Sequence, residues 1–440
     1  MHAKPRTSPL TQAPIGPTLV KMTTPMVLGI LAILFFNIVD IYFIGLIGAK
    51  ELAAVSFTFP VSFIMINIAM GLGVGTTTVL AAKIGGGASS EAKRIILSAL
   101  LLTLLLVAPL SFLGMISIQP LFTLLGAGQT TIPLIADYMN IWYAGLVFLF
   151  IPMVGNSAIR ATGNTKTPSF IMALAGLANG IMDPILIFGL GPIPAMGIEG
   201  AAIATVISWV IAAIAVLYTL NARLQLLSWK SKIHKHLFQD WARILKIGAP
   251  AAGSYFLAPI VLGVTTRLVA EYGEAAVAGY GVGTRIESLA MVVVMALSSA
   301  ITPFTGQNFG AGKRDRIHRG LKLAIIFIIA WELLVSLILL VLAEPLAGLF
   351  NDDPRIIQTT VLFLCILPIS YGFHGIAMLV CSTLNALHRP LYGITINGAK
   401  LFLLCIPMAW IGGYLFSLKG IFIGLSLANI LAGIIVLIWA

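Results

Sequence analysis

Two carboxylates sit in stretches that are otherwise built for hydrocarbon. Asp40 ends the run PMVLGILAILFFNIVD (25–40), which stays apolar to about Ile47, and Asp183 lies within GLANGIMDPILIF (176–188). A charge in hydrocarbon is costly unless it is paired, hydrated or neutralised, so an intramembrane acid is a functional candidate by default. Helical spacing supplies neighbours for both. Asn179 is four residues before Asp183 and shares its face, while Phe36 and Asn37 precede Asp40 by four and three. Pro184 frees the carbonyl near Gly180 as one more polar partner, and Pro25 removes a backbone hydrogen bond where the first helix can bend. An acid that takes up protons, on a helix that bends, has the parts of a coupling device. Asp137, near the outer end of the fourth apolar segment, reads as interfacial.

The chain around these acids is membrane-like throughout. Of its 440 residues, 59% are hydrophobic and 9% charged, against roughly a quarter charged in a soluble domain. Apolar runs of about 20 residues, each long enough to cross a bilayer, recur from end to end. Twelve segments are predicted, near Leu19–Ile47, Leu52–Ala82, Ala92–Ile116, Thr131–Met153, Pro168–Leu190, Ala195–Leu220, Ile244–Ala270, Ala275–Thr305, Ile317–Ala343, Ile356–Ser382, Leu391–Gly413 and Gly420–Trp439. Alternate loops carry 20 of the 26 basic residues, and the opposite loops hold only Lys50, Arg355 and Lys419. The net charge of +11 is therefore a topology signal rather than a nucleic-acid surface, and by the positive-inside rule both termini are expected on the cytoplasmic side of the cell (inner) membrane. The N-terminus shows no short apolar core with a small-residue cleavage site, so no cleaved signal peptide is expected. Cys365, Cys381 and Cys405 lie in apolar runs without metal spacing. No HExxH, GxxxxGK[ST] or GxSxG is present, which argues against an intramembrane enzyme or an ATP-driven pump, and no cofactor is expected.

The chain repeats itself. AAKIGGGASSEAKR is answered by GQNFGAGKRDR, QPLFTLLGAG by EPLAGLFNDD, SAIRATGNTKTP by STLNALHRP, and MGIEGAAIATVIS by LKGIFIGLSLANI, in the same order and about 225 residues apart. The expected architecture is an all-α polytopic membrane protein with twelve transmembrane helices in two pseudo-symmetric six-helix lobes around a central cleft. Residues 1–18 form a cytoplasmic tail, 19–220 the N-lobe, 221–243 a cytoplasmic linker and 244–440 the C-lobe. Parallel halves of this kind work by rocking around a midplane site. The repeat also sets the acids apart: Thr265 stands where Asp40 does in the other half, and Ile406 approximately where Asp183 does. Packing demands would be shared by both copies, so an acid in only one is better explained by function.

The runs VDIYFIGLIGAKELAAVSF, GVGTTTVLAAKIGGGASSEAKR, GNSAIRATGNTKTP and GIEGAAIATVIS resemble the multidrug and toxic compound extrusion (MATE) family over almost the whole chain. The resemblance implies a secondary antiporter that exports organic, often cationic or lipophilic, compounds in exchange for protons or Na+. In the DinF-like branch it implies that Asp40, Asp183 and Asn179 form one network in the first lobe, with Pro25 as the place where the first segment bends on protonation. An aromatic hydroxyl often stands where this chain has Phe36. The NorM-like branch would have an acid in the seventh segment and an Asp in the tenth; neither segment has one here. The candidate coupling residues are thus Asp40, Asp183, Asn179 and Asn37, with Pro25 as hinge and Na+ at Asp40, Asp183 and Asn179 as the alternative to protons.

The second half carries intramembrane charges of its own. Arg285 and Glu287 are two apart and point to different helical faces, and Glu287 with Lys400 is a natural ion pair to hold helices together. Phe36, Phe150 and Met172 are candidates for an adaptable apolar substrate cleft, although such side chains also serve as core. The leading reading is a monomeric, proton-coupled exporter of small organic molecules. The alternative is a flippase or exporter of a lipid-linked or natural metabolite; an ion channel fits two acids in one lobe poorly.

Overall fold

The computed structural model describes residues 9–227 and 236–439, with every side chain among them except that of Ser89. The parts of the expected tail and linker at 1–8 and 228–235, with Lys4, Arg6, Lys230, Lys232 and Lys235, lie outside the described residues. The rest is helical almost throughout, as long apolar runs with few internal breakers require.

The first six predicted segments become α1 (Ile15–Ile47), α2 (Ala49–Gly85), α3 (Ser89–Leu124), the pair α4 (Ile132–Ala144) and α5 (Leu146–Ala161), α6 (Lys166–Phe188) and α7 (Gly197–Tyr218). The last six become α8 (Leu237–Ala270), the pair α9 (Glu274–Ala290) and α10 (Val292–Gly310), α11 (Arg314–Gly348), α12 (Pro354–Ile366) with α13 (Tyr371–Ala386), and α14 (Pro390–Ala399) leading into α15 (Ile406–Trp439).

Twelve crossings follow from these bounds. Nine described helical runs are long and apolar enough to span a bilayer, and α4–α5 and α9–α10 add two more as spans bent by 47° and 44°. The run Pro390–Trp439 is 50 residues long, about twice what one crossing needs. It breaks at Phe416 and Ser417, where Ser417 takes the left-handed value φ 54°, and folds back on itself. Gly412 then packs on Gly420 and Gly424 on the Met408 carbonyl, so closely that neither position has room for a Cβ. This is a helical hairpin, and it supplies the twelfth span.

Two compact units form, and each has its own apolar core. The first comprises Thr24–Ala252 and the second Leu10–Thr23 with Gly253–Ala440 among the described residues. These bounds differ from the expected lobes (19–220 and 244–440), and the reasons are specific contacts. In the second unit Arg316 donates to the carbonyls of Ala13 (2.6 Å) and Leu10 (3.3 Å), Lys313 donates to Thr11 O (2.8 Å), and Asn308 to Leu10 O (3.2 Å). The first turns of α1 are thereby tied to that unit, and the changeover falls just before Pro25. The helix is continuous through that proline.

In the first unit the expected linker is helical from Leu237. Its anchor is Asp240, fully buried, which accepts from Arg94 Nε (2.8 Å) and Nη2 (3.1 Å) and from Ser98 Oγ (3.3 Å), with Arg243 at 3.5 Å. Trp241 Nε1 donates to Ser98 O at 2.8 Å beside it. Further along, Gly71 and Gly75 of α2 meet the backbone of Gly248 and Ile244 with no room for a side chain, the close small-residue contact that holds helices together where no hydrophobic effect does.

Removing one partner of a buried ion pair leaves an uncompensated charge at a cost of about 3–5 kcal/mol. Asp240→Ala is therefore expected to lower the thermal unfolding midpoint of the detergent-solubilised protein, and Arg94→Met/Asp240→Leu together to recover much of the loss. An unchanged midpoint in Asp240→Ala would show that the pair does not anchor α8.

Candidate functional site

The site is built on the packing of α1 against α6. Gly176 and Gly180 are one helical turn apart on α6, and the Phe36 ring lies across both: a Cβ at Gly176 would stand 2.9 Å from Phe36 Cγ, and one at Gly180 would stand 3.1 Å from Cδ1. This small-xxx-small notch lets a bulky ring of α1 bed into α6. Phe36, expected in a substrate cleft and in the place of an aromatic hydroxyl, is instead the packing key between the two helices that carry the acids.

One turn further along, the Asp40 and Asp183 carboxyls meet at hydrogen-bonding range. Asp183 is fully buried and Asp40 half-buried. Asn179 Nδ2 donates to Asp183 Oδ1 at 3.2 Å, while no protein N–H or O–H reaches Asp40 Oδ1 or Asp183 Oδ2. Two carboxylate anions repel and neither is a donor. A hydrogen bond between them therefore requires that one keep a proton, and the pair titrates as a unit.

A residue with no signal in its local sequence completes the cluster. Tyr138 of α4 is buried, lies within electrostatic reach of both acids and is hydrogen-bonded to Thr205 of α7. Its neighbour Asp137 is exposed, in keeping with an interfacial position. A tyrosine in a polar stretch (ADYMN) does not stand out; the repeat sets it apart, because position 363, 225 residues on, is the buried Phe363.

Other expected members fall elsewhere. Asn37 is exposed on α1 and does not join the acids. Phe150 is fully enclosed in the core of the first unit and lines no open surface. Met172 is half-buried on α6. A groove of about 530 Å³ between α2 and α3, walled by residues such as Ile64, Met65, Leu113 and Pro120, lies apart from the acids and carries no titratable carboxyl.

In the second unit Arg285 is exposed while Glu287 is half-buried, as their spacing predicts. Glu287 and Lys400 are within electrostatic reach of each other, but no ion pair closes between them among the described residues. The expected Glu287–Lys400 clasp is thus a looser approach. Lys400 opens a π-helical stretch, Lys400–Cys405. Thr265, the counterpart of Asp40, is buried and hydrogen-bonded to Tyr280. The same position thus holds a neutral pair in one unit and an acid pair in the other.

As a Na+ site the first-unit cluster is short of ligands. Asn179 presents its N–H, not its oxygen, to Asp183, whereas a hard cation wants several oxygens. Gly176→Val is expected to push the Phe36 ring off α6, separate the acids, and remove transport activity from protein that still inserts. Retention of full activity would show that the notch does not set the acid–acid distance.

This geometry has close parallels. The MatE family profile matches residues 25–185 and 250–411, one match for each half of the repeat. The FAD transporter of Shewanella oneidensis is 43% identical over 97% of this chain and 94% of that protein. The multidrug export protein MepA of Staphylococcus aureus is 27% identical over 96% of this chain and 93% of that protein. Among solved structures, the Vibrio cholerae MATE transporter VcmN in its bent form superposes with a TM-score of 0.92 at 34% identity, covering 96% of this chain and 95% of that one. The doubled profile, the twelve-span fold and full-length relatives agree: the chain belongs to the MatE family, and is a multi-pass membrane transporter rather than an enzyme.

Proposed function

We propose that this transporter is a secondary active antiporter that exports an organic solute in exchange for protons, with the Asp40–Asp183 pair as its proton-binding site. The observation that carries the reading is the meeting of two acids in one half of a duplicated frame, close enough to hold one proton between them. When the pair is loaded with its one proton, α1 and α6 are joined by a charge-assisted hydrogen bond between a carboxylic acid and a carboxylate. When the proton leaves, the two carboxylates repel, and the strain falls on α1, whose weakest backbone point is Pro25. Bending there is the expected response, and on this reading it drives alternating access. On this reading the chain is a monomer with both termini cytoplasmic.

A pH difference of one unit supplies about 1.4 kcal/mol per proton, roughly a tenfold cargo gradient. A potential of about 100 mV adds roughly 2.3 kcal/mol per net charge moved. That second term separates two classes of cargo. A monovalent cation exchanged for one proton moves no net charge. Export of a dinucleotide anion with proton entry moves positive charge inward twice over, so the potential helps both steps. The anionic reading is favoured by the 43% identity to a protein named as an FAD transporter. Lipophilic cations are the cargo class suggested by the multidrug-export relatives, at lower identity. For an anion, competition at a carboxyl site is no coupling mechanism, and the proton must act through α1.

Proteoliposomes loaded with FAD or with a cationic dye provide the test. An imposed pH gradient is expected to drive efflux by the wild type, a Na+ gradient alone to be ineffective, and Asp40→Asn and Asp183→Asn each to lower gradient-driven efflux at least about tenfold. Imposing a membrane potential without a pH difference is expected to accelerate FAD efflux and to leave one-for-one cation exchange unchanged. Full pH-driven efflux in Asp40→Asn would refute the coupling site; efflux driven by Na+ alone would refute the ion.

A further inference from the structure

We propose that the second unit holds a separate proton-carrying site, centred on Glu332 of α11 and completed by Tyr371 and His374 of α13. Glu332 is 1% exposed, and neither of its carboxyl oxygens has a hydrogen-bond partner. The Tyr371 hydroxyl is fully buried and also without a partner, as is His374 Nδ1. Glu332 and Tyr371 meet here, and His374 follows one turn along α13, within electrostatic reach of Lys400. A Cβ at Gly372, in the first turn of α13, would lie 3.8 Å from Glu332 Cβ. Tyr371 beside it is within electrostatic reach of both Glu332 and Glu287.

The backbone here is prepared for a charge that comes and goes. The tenth span is interrupted between α12 and α13 by the turn Pro368–Ser370, and the groups freed by the break have dedicated partners. Ser336 Oγ, one turn along α11 from Glu332, donates to Pro368 O at 2.6 Å; Ser426 Oγ donates to Ile366 O at 3.3 Å; Asn429 Nδ2 donates to Ser370 Oγ at 3.2 Å. The break is a built feature, and it sets the N-terminal end of α13, with its partial positive charge, beside Glu332. A discontinuous helix whose N-terminus faces an ionisable group is a recurring way to handle ions within a membrane.

The repeat shows that the fold does not need these side chains. The two family matches begin 225 residues apart, which places Glu332, Tyr371 and His374 opposite Val107, Leu146 and Leu149. Val107 and Leu146 are buried, and all three belong to the apolar core of the first unit. Three apolar positions of one copy are thus three polar ones in the other, packed in the same frame with several polar atoms left unpaired. Each unpaired buried polar group works against folding, so a second use must account for retaining all three.

The titratable surroundings define how a proton would travel. From α13 come Tyr371 and His374; from α9 comes Glu287, through Tyr371; from the π-helical stretch comes Lys400, within reach of both Glu287 and His374. The α10 helix offers no titratable side chain, and the α12 helix offers Cys365 and the terminal Arg355, which is paired with Asp353. Glu332 holds the proton as a neutral acid. On release, H+ passes towards solvent along Tyr371, His374 and Glu287, and the Tyr371 hydroxyl turns to donate to the carboxylate left behind. No other bond is made or broken.

Infrared difference spectra between acid and alkaline pH, on the full-length protein in lipid bilayers, test this without any transport assay. A protonated-carboxyl band that appears on acidification in the wild type is expected to be missing in Glu332→Gln and shifted in Tyr371→Phe. The absence of a Glu332-dependent titrating band would overturn the proposal, since Glu332 would then be fixed in one state. Two further readouts exclude a merely structural acid. Glu332→Val, which restores the residue type of the first copy, is expected to raise the thermal unfolding midpoint while lowering the protons moved per cargo. A lowered midpoint with unchanged proton count would overturn the proposal. The proton count rests on the antiport reading above; the infrared titration does not, so the two can fail separately.

Discussion

The close approach of the Asp40 and Asp183 carboxyls is the constraint around which the first unit is arranged. Two carboxyl groups in an apolar bundle bond to each other only while one holds a proton, so their contact ties a protonation state to a helix–helix distance. Everything nearby serves that distance. Phe36 beds across Gly176 and Gly180 and fixes α1 on α6. Asn179 holds one oxygen of Asp183, and Tyr138 closes the cluster from α4 with its hydroxyl engaged by Thr205. Because the ring contact sits one turn from the acids, a change in their mutual attraction acts on α1 with Phe36 as its fulcrum. On the proposed reading, this is how a proton does mechanical work on the helix that carries Pro25.

The duplicated frame separates what the fold needs from what transport needs. Both halves match the same family profile, and both contain bent spans and close glycine contacts. Their chemistry is not shared. Asp40 and Tyr138 of the first unit are opposed by Thr265 and Phe363 in the second; Glu332, Tyr371 and His374 of the second are opposed by Val107, Leu146 and Leu149 in the first. Uncharged residues at these positions, apolar in every case but Thr265, satisfy the packing. The acids and their aromatic and imidazole partners therefore mark where each half departs from a scaffold that folds without them.

Much of this is legible in the sequence, for a physical reason. Apolar runs must be helical in hydrocarbon because every backbone polar group needs a partner within its own segment, so twelve spans can be counted from the residues alone. The gap at 414–419 between the last two runs marks the hairpin that Ser417 makes. The pair Asp40–Asp183 and the partner Asn179 are accessible because a rare residue type in a costly place stands out. What the sequence hides is set by tertiary contact. Helical spacing places Asn37 near Asp40, but three residues fall short of a full turn of about 3.6, and Asn37 faces outward. Phe36 and Phe150 read as cleft-lining aromatics, yet one is a packing key and the other is core, since an apolar ring looks the same in either role. Tyr138 gives no local signal. The bends after Ala144 and Ala290 occur at Gly145 and Met291, with no proline to announce them, and the unsatisfied state of Glu332 depends on neighbours that only the folded chain brings to it.

The central claim is that Asp40 and Asp183 share a proton. It is tested most directly by following carboxyl titration in the infrared for the wild type, Asp40→Asn and Asp183→Asn, each reconstituted in lipid. If the pair is real, replacing either acid must change the pH at which the other titrates, and the two single effects must not add. If each acid titrates at the same pH with or without its partner, the two are independent and the account is wrong.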